Sequence, residues 1–274
     1  IPEDYDIPAV LKLQPHQQRL LENNTEHFLL EGVAGTGKTT ILLYRFIEDI
    51  KKLLEEKGNV STALFVTHNE RLRDEVKSQL KLFFEKDLLN DVGERIKSVK
   101  EVFDSIIGEA VNERFPSSRH LTRERFRTLF AKKKLDVDLF WEEYRGILRG
   151  YNLHGKQRIV TKNEYIEEIG RRRGRINKSQ RNEFFELANN IEKTMQQRPD
   201  LDPNKGGWDD LDKCRYILQE IKNSPGLQRL DFVYVDEVQD LTSAELEIFL
   251  TLLSPEGLQR IAMAGDLSQS IQPS

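Results

Sequence analysis

The sequence predicts an α/β fold: a parallel sheet flanked by helices, with a mostly helical subdomain inserted into it. Three observations predict it. Four short runs, residues 27–30, 63–66, 232–235 and 260–264, are nearly continuous in apolar residues, the pattern of strands buried on both faces of a parallel sheet. The first run leads into Gly32-Val33-Ala34-Gly35-Thr36-Gly37-Lys38-Thr39, which fits a phosphate-binding loop of the form G-x-x-x-x-G-K-[ST] and then opens a helical pattern. Between about Asn112 and Asn223, apolar residues recur at helical intervals and no buried strand stands out.

In chain order, the loop comes first. Glycines let backbone N–H groups turn inward around an anion, and the new helix adds its positive N-terminal end. Lys38 is expected to reach the β- and γ-phosphates of a nucleoside triphosphate, and Thr39 to place its hydroxyl on Mg²⁺. Residues 40–57 read as one helix ending in Lys-Gly, and residues 69–85 as another, with Leu72, Val76, Leu80 and Phe83 at helix spacing. In the middle, Phe126, Leu129 and Phe130, then Phe140, Tyr144 and Leu148, then Phe184, Leu187 and Ile191 mark helices. Phe140, Trp141 and Tyr144 are spaced for packing. Pro116-Ser117-Ser118 and residues 199–207 are breakers. Trp208 has no evident role. The expected division is 1–111 and 224–274 for the α/β domain and 112–223 for the insertion.

The run at 232–235 ends in Asp236-Glu237-Val238-Gln239-Asp240. Asp236 at the strand tip is expected to hold Mg²⁺ through its water shell, and Glu237 to take a proton from the attacking water. After the last strand, Gly265-Asp266-Leu267-Ser268-Gln269-Ser270-Ile271 reads on its own as a turn, or as a loop that offers Gln269 to the γ-phosphate or the lytic water.

Composition sets limits. Hydrophobic residues are 38% and charged residues 32% of the 274, so helices with long solvated faces are expected. No apolar run is long enough to cross a bilayer. Acidic Glu3, Asp4 and Asp6 argue against a signal peptide, and the absence of an initial Met suggests a trimmed start. The one cysteine, Cys214, excludes an internal disulfide framework or a cysteine-based zinc site and reads as a small core residue. A reducing, intracellular setting is consistent with this: cytoplasm, nucleoid or nucleus. Net charge is −4, so nucleic-acid binding would need a local basic surface. Arg171-Arg172-Arg173-Gly174-Arg175, with Lys178 and Arg181 nearby, is the densest candidate and reads equally as a solvated helix end, whereas Lys132-Lys133-Lys134 reads as a solvated face.

In order and wording these motifs resemble superfamily 1 helicases of the UvrD/Rep type. Leu13-Gln14-Pro15-His16-Gln17 is similar to the family's Q motif, the loop to motif I, Phe65-Val66-Thr67-His68-Asn69-Glu70-Arg71-Leu72 to motif Ia, and residues 96–103, less closely, to motif Ib. Asp236 to Asp240 fits motif II and Gly265 to Ile271 fits motif III. The resemblance implies a first RecA-like domain with a 1B-like insertion, ATP and Mg²⁺ as cofactors, and single-stranded or partly duplex DNA as the track, with 3′→5′ movement. RNA as the track, or a non-unwinding ATP-dependent switch, are the alternatives. Carried over residue by residue, it implies nucleotide contacts from Gln17, Gly32, Ala34, Gly35, Thr36, Gly37, Lys38, Thr39, Thr40 and Arg45. Metal contacts would come from Thr39 and Asp236, and catalytic roles from Lys38, Glu237 and Gln269. Nucleic-acid contacts would come from Thr67, His68, Asn69, Arg171, Arg172, Arg173 and Arg175. Gln272 stands where the family usually has an aromatic, and Thr40 where an arginine is common. His68 is read either as a face for stacking a base or as a helix cap. The chain stops just past motif III, so the expectation is the front half of a motor, nearly inactive without a second RecA-like domain and its arginines.

Overall fold

The computed structural model describes residues 13–22, 27–152, 158–169, 176–196, 207–224, 226–255 and 260–266. Five strands form one wholly parallel sheet: β1 (Phe28–Glu31), β2 (Ala63–Thr67), β3 (Ile96–Ser98), β4 (Phe232–Val235) and β5 (Arg260–Gly265), in the order β1-β5-β4-β2-β3. Each of the four predicted apolar runs forms a strand. The central pair, β2 and β4, is buried at every residue, as a strand covered on both faces must be. At the edge, β1 alternates between half-buried and exposed. The fifth strand, β3, is only three residues long and carries no apolar run, so its sequence does not announce it.

Parallel strands require crossovers, and helices supply them. On one face, α2 (Lys38–Lys57) packs Phe46, Ile50 and Leu53 against Phe65 and Tyr234. It starts at Lys38 and ends where Gly58, at φ 68°, donates its N–H to the Leu54 carbonyl, the left-handed stop that glycine permits. The expected helix over 69–85 is broken: α3 spans Glu70–Leu80 and α4 spans Lys86–Gly93. Phe83 keeps helical spacing but lies beyond the helix end, edge-on to Tyr44 at 5.3 Å.

On the other face, α5 (Val99–Ile107) joins the helices Asp210–Asn223 and Ser243–Leu252 in a second core. The helix Asp210–Asn223 falls within the predicted insertion, yet Leu211, Cys214, Ile217 and Ile221 share this core with Val233 and Ile248. Its apolar stripe therefore faces the sheet. Cys214 is buried there, and burial pushes its thiol pKa well up.

The insertion has its own core, in which Phe126, Phe140, Tyr144, Leu148, Phe184 and Ile191 meet. Among its described residues there is no strand, only an isolated bridge between His120 and Trp208. Two segments, Tyr144–Arg149 and Glu164–Ile169, are π-helical. Trp208 fastens the neck: its ring stacks on His120 at 4.0 Å, and its Nε1 donates to the Pro116 carbonyl at 2.9 Å. The chain entering the insertion is thereby tied to the chain leaving it.

Candidate nucleotide site

The phosphate loop connects β1 to α2 at the C-terminal end of the sheet, where ligands of open α/β folds sit. Gly35 and Gly37 adopt φ of 82° and 80°, a region that side chains rarely enter. At Gly37 a second constraint applies, because a Cβ there would lie 2.4 Å from Nε2 of Gln17. Gln17 is buried on α1 (Pro15–Glu22), and its Nε2 donates to the Thr36 carbonyl at 2.9 Å. The glutamine thus rests directly on the loop. Lys38 curls back into the loop, its Nζ donating to the carbonyls of Gly32 at 2.7 Å and Val33 at 3.2 Å. Ala34 and Thr36 are exposed on the loop's outer surface, and Thr40 is half-buried in the first turn of α2.

Thr39 Oγ1 donates to Asp236 Oδ2 at 2.7 Å. That contact closes the long chain separation between the loop and the acidic strand end. Burial pushes the Asp236 carboxyl up to about 6; Glu237 adds to the rise, while the Thr39 hydrogen bond and the Lys38 charge oppose it. A hydroxyl facing a carboxylate that is costly to ionise is a hard-oxygen donor set short of positive charge, which fits Mg²⁺.

Glu237 follows at φ 53°, the one non-glycine residue with positive φ among the described residues, and strain of this kind concentrates at functional sites. Its Oε2 accepts from Gln239 Nε2 at 2.6 Å, while Gln239 Oε1 accepts from the Asp266 N–H at 3.0 Å. Gly265 makes room for that amide: a Cβ there would lie 2.5 Å from Gln239 Oε1 and 2.7 Å from a Val238 methyl. The Gly265 carbonyl also accepts from the Gly32 N–H at 3.3 Å. A Gly265→Ala substitution is therefore expected to cost about 1–3 kcal/mol, the range for overpacking a filled interior, measured as a lower denaturant midpoint. A wild-type midpoint would show that Gln239 does not depend on that clearance.

Two nominated residues hold the frame around the site. Arg45 is buried and donates to the Leu21 carbonyl at 2.7 Å, joining α2 to the end of α1. Thr67 is buried at the tip of β2 and donates to the Asn69 carbonyl at 3.0 Å. Asn69 caps α3 by accepting from the Leu72 N–H, so the helix-cap reading of His68 is overturned. His68 is exposed and faces a cleft of about 450 Å³ that runs between Gln239 and Asp240 on the sheet side and Trp141 and Arg145 on the insertion side. Sequence reasoning missed the far wall: Asp210 lies 2.9 Å from His120 Nε2 and 3.0 Å from Arg145 Nη2. Its only advance signal was the pair of breaker clusters that bracket the insertion. Gln269 and the arginines 171, 172, 173 and 175 lie outside the described residues.

The model of the UvrD/REP helicase N-terminal domain family matches residues 13–272. The chain belongs to this family. No curated protein matches it. As a member of the UvrD/REP helicases, the chain is part of a helicase motor, an ATP-using class that acts on nucleic acid with Mg²⁺. In this UvrD/REP domain no helix among the described residues is long and apolar enough to cross a membrane.

Proposed function

We propose that this chain is the ATP-binding part of a DNA helicase or translocase that moves 3′→5′ along single-stranded DNA. The observation that carries the reading is the 2.7 Å contact between Thr39 and Asp236, because it assembles both halves of a nucleotide site from opposite ends of the chain. The loop N–H groups and Lys38 bind the phosphates, and Gln17 reads the adenine edge. Thr39 and Asp236 hold Mg²⁺, which offsets charge on the β- and γ-phosphates. Glu237 accepts the proton of the attacking water, and Gln269 links the γ-phosphate to the nucleic acid. Arginines from a second RecA-like domain complete charge stabilisation, a contribution worth about 10³–10⁵ in rate in related phosphoryl transfers. Opening and closing against that domain advances the strand.

The exposed His68 ring in the cleft supports a nucleic-acid track, since aromatic faces stack on any base. The arginine run at 171–175 adds phosphate contacts from the insertion. Phosphate release by the intact protein, measured with single-stranded DNA and with single-stranded RNA, tests the choice. The expected result is stimulation by DNA, together with displacement of a strand from a 3′-tailed duplex. Stimulation by RNA alone would overturn the DNA track, and hydrolysis without strand opening or movement would favour a switch.

A further inference from the structure

Gln239 touches the proposed base and the end of β5, and it also lines the cleft. Its amide orientation is fixed by chemistry. The Asp266 N–H can only donate, so the oxygen end faces it at 3.0 Å, and the NH₂ end must face Glu237 at 2.6 Å. Gly265, which has no Cβ, leaves the space beside β5 that the amide oxygen occupies. The same residue lines the cleft beside His68 and Asp240. On the other side, Glu237 stands at φ 53°, so the backbone on which its carboxylate sits is not in a broad, stable well. The amide is the carboxylate's hydrogen-bond partner in this arrangement.

We propose that Gln239 is a positioning residue that couples occupancy of the cleft to Glu237. It rests on the motor reading above and assigns that site its regulation. Without a strand, one N–H of the Gln239 NH₂ group is held by Glu237 and draws on the lone pair that must accept the water's proton. A phosphate or base edge in the cleft is a second acceptor for the NH₂ group, and it draws Nε2 away from Glu237 toward the cleft that Gln239 lines. Once the amide turns toward the strand, the Glu237 carboxylate is released to serve as base. Asp266 N–H and Gly265 then act as the fixed pivot.

The test compares wild type, Gln239→Met and Gln239→Glu in the intact protein. Phosphate release is measured with and without a single-stranded thymidine oligonucleotide, across ATP concentrations. The ratio of stimulated to unstimulated kcat is expected to fall by about tenfold in both variants, the scale of one hydrogen bond to an ionised group, with KM for ATP within about twofold. Gln239→Glu is nearly isosteric, so a role in packing alone predicts that it keeps the wild-type ratio. A retained ratio in Gln239→Glu overturns the proposal, whatever happens to Gln239→Met. A wild type that no oligonucleotide stimulates overturns the motor reading and the coupling with it, whereas stimulated variants matching wild type overturn the coupling alone.

Discussion

ATP turnover by a Glu237→Gln variant is expected to fall by about 10²–10⁴-fold, the contribution of a positioned general base, with nucleotide affinity held within about twofold. The substitution preserves size, and its carbonyl can still accept from Gln239 Nε2. The Thr39–Asp236 contact is untouched. Only the ability to take the water's proton is lost. Lys38→Ala makes the contrast. Its ammonium is held by the carbonyls of Gly32 and Val33, poised where phosphate oxygens would compete for it. Deleting a charged donor to phosphate is expected to weaken nucleotide binding by roughly tenfold to a hundredfold, as well as slowing turnover. Titration of a fluorescent nucleotide separates the two variants. Equal affinities for wild type and Lys38→Ala would remove the loop from its assigned role, and near-normal turnover in Glu237→Gln would assign the proton to another group.

How far these features were legible in the sequence depends on whether they are local. The glycines of the loop and the acids after β4 announce themselves because backbone conformation and charge act within a few residues. Strands β2 and β4 were legible because burial on both faces leaves a continuous apolar run. By contrast, β3 is recruited by pairing with β2, and three residues of Ile-Lys-Ser carry no period. The helix Asp210–Asn223 has a clear apolar stripe, but a stripe says only that something covers it, not that the sheet does. The clearance at Gly265 and the reach of Gln239 join positions brought together only by the β4–β5 pairing. Trp208 gains its meaning only once Pro116 and His120 stand against it. Each of these misses required a partner from a distant part of the chain.

Arg149→Met is expected to destabilise the protein by about 3–5 kcal/mol near neutral pH, the cost of stripping one partner from a buried ion pair, read from chemical unfolding. Arg149 is fully buried, at 0% exposure, in the π-helical segment of the insertion. Its Nη1 lies 2.9 Å from Glu192, and its Nη2 lies 2.9 Å from Asp209 and 2.7 Å from Asp212. Arg158 also pairs with Glu192 and Asp212 and lends its charge to Asp209 from farther off, whereas Arg149 touches Asp209 directly. Burial already pushes Asp209 up to about 6, with Arg149 opposing the rise and Asp212 adding to it. The folded-state value thus lies above the ordinary value of about 3.9. Stability contributed by the protonated acid is present below about pH 4 and is lost as pH rises through about 6. Removing the guanidinium takes away the force opposing that rise, so the penalty of Arg149→Met should be largest above pH 6 and shrink toward pH 4. An Asp209→Asn variant, which keeps an N-cap oxygen for the Asp212 N–H, should flatten the wild-type slope in this window. The network binds the insertion's helix Lys178–Met195 to the first turn of Asp210–Asn223, whose other face is in the sheet core. Loss of Arg149 should therefore loosen the insertion at its root, and a pH-independent penalty would mean that packing, rather than charge, holds it there.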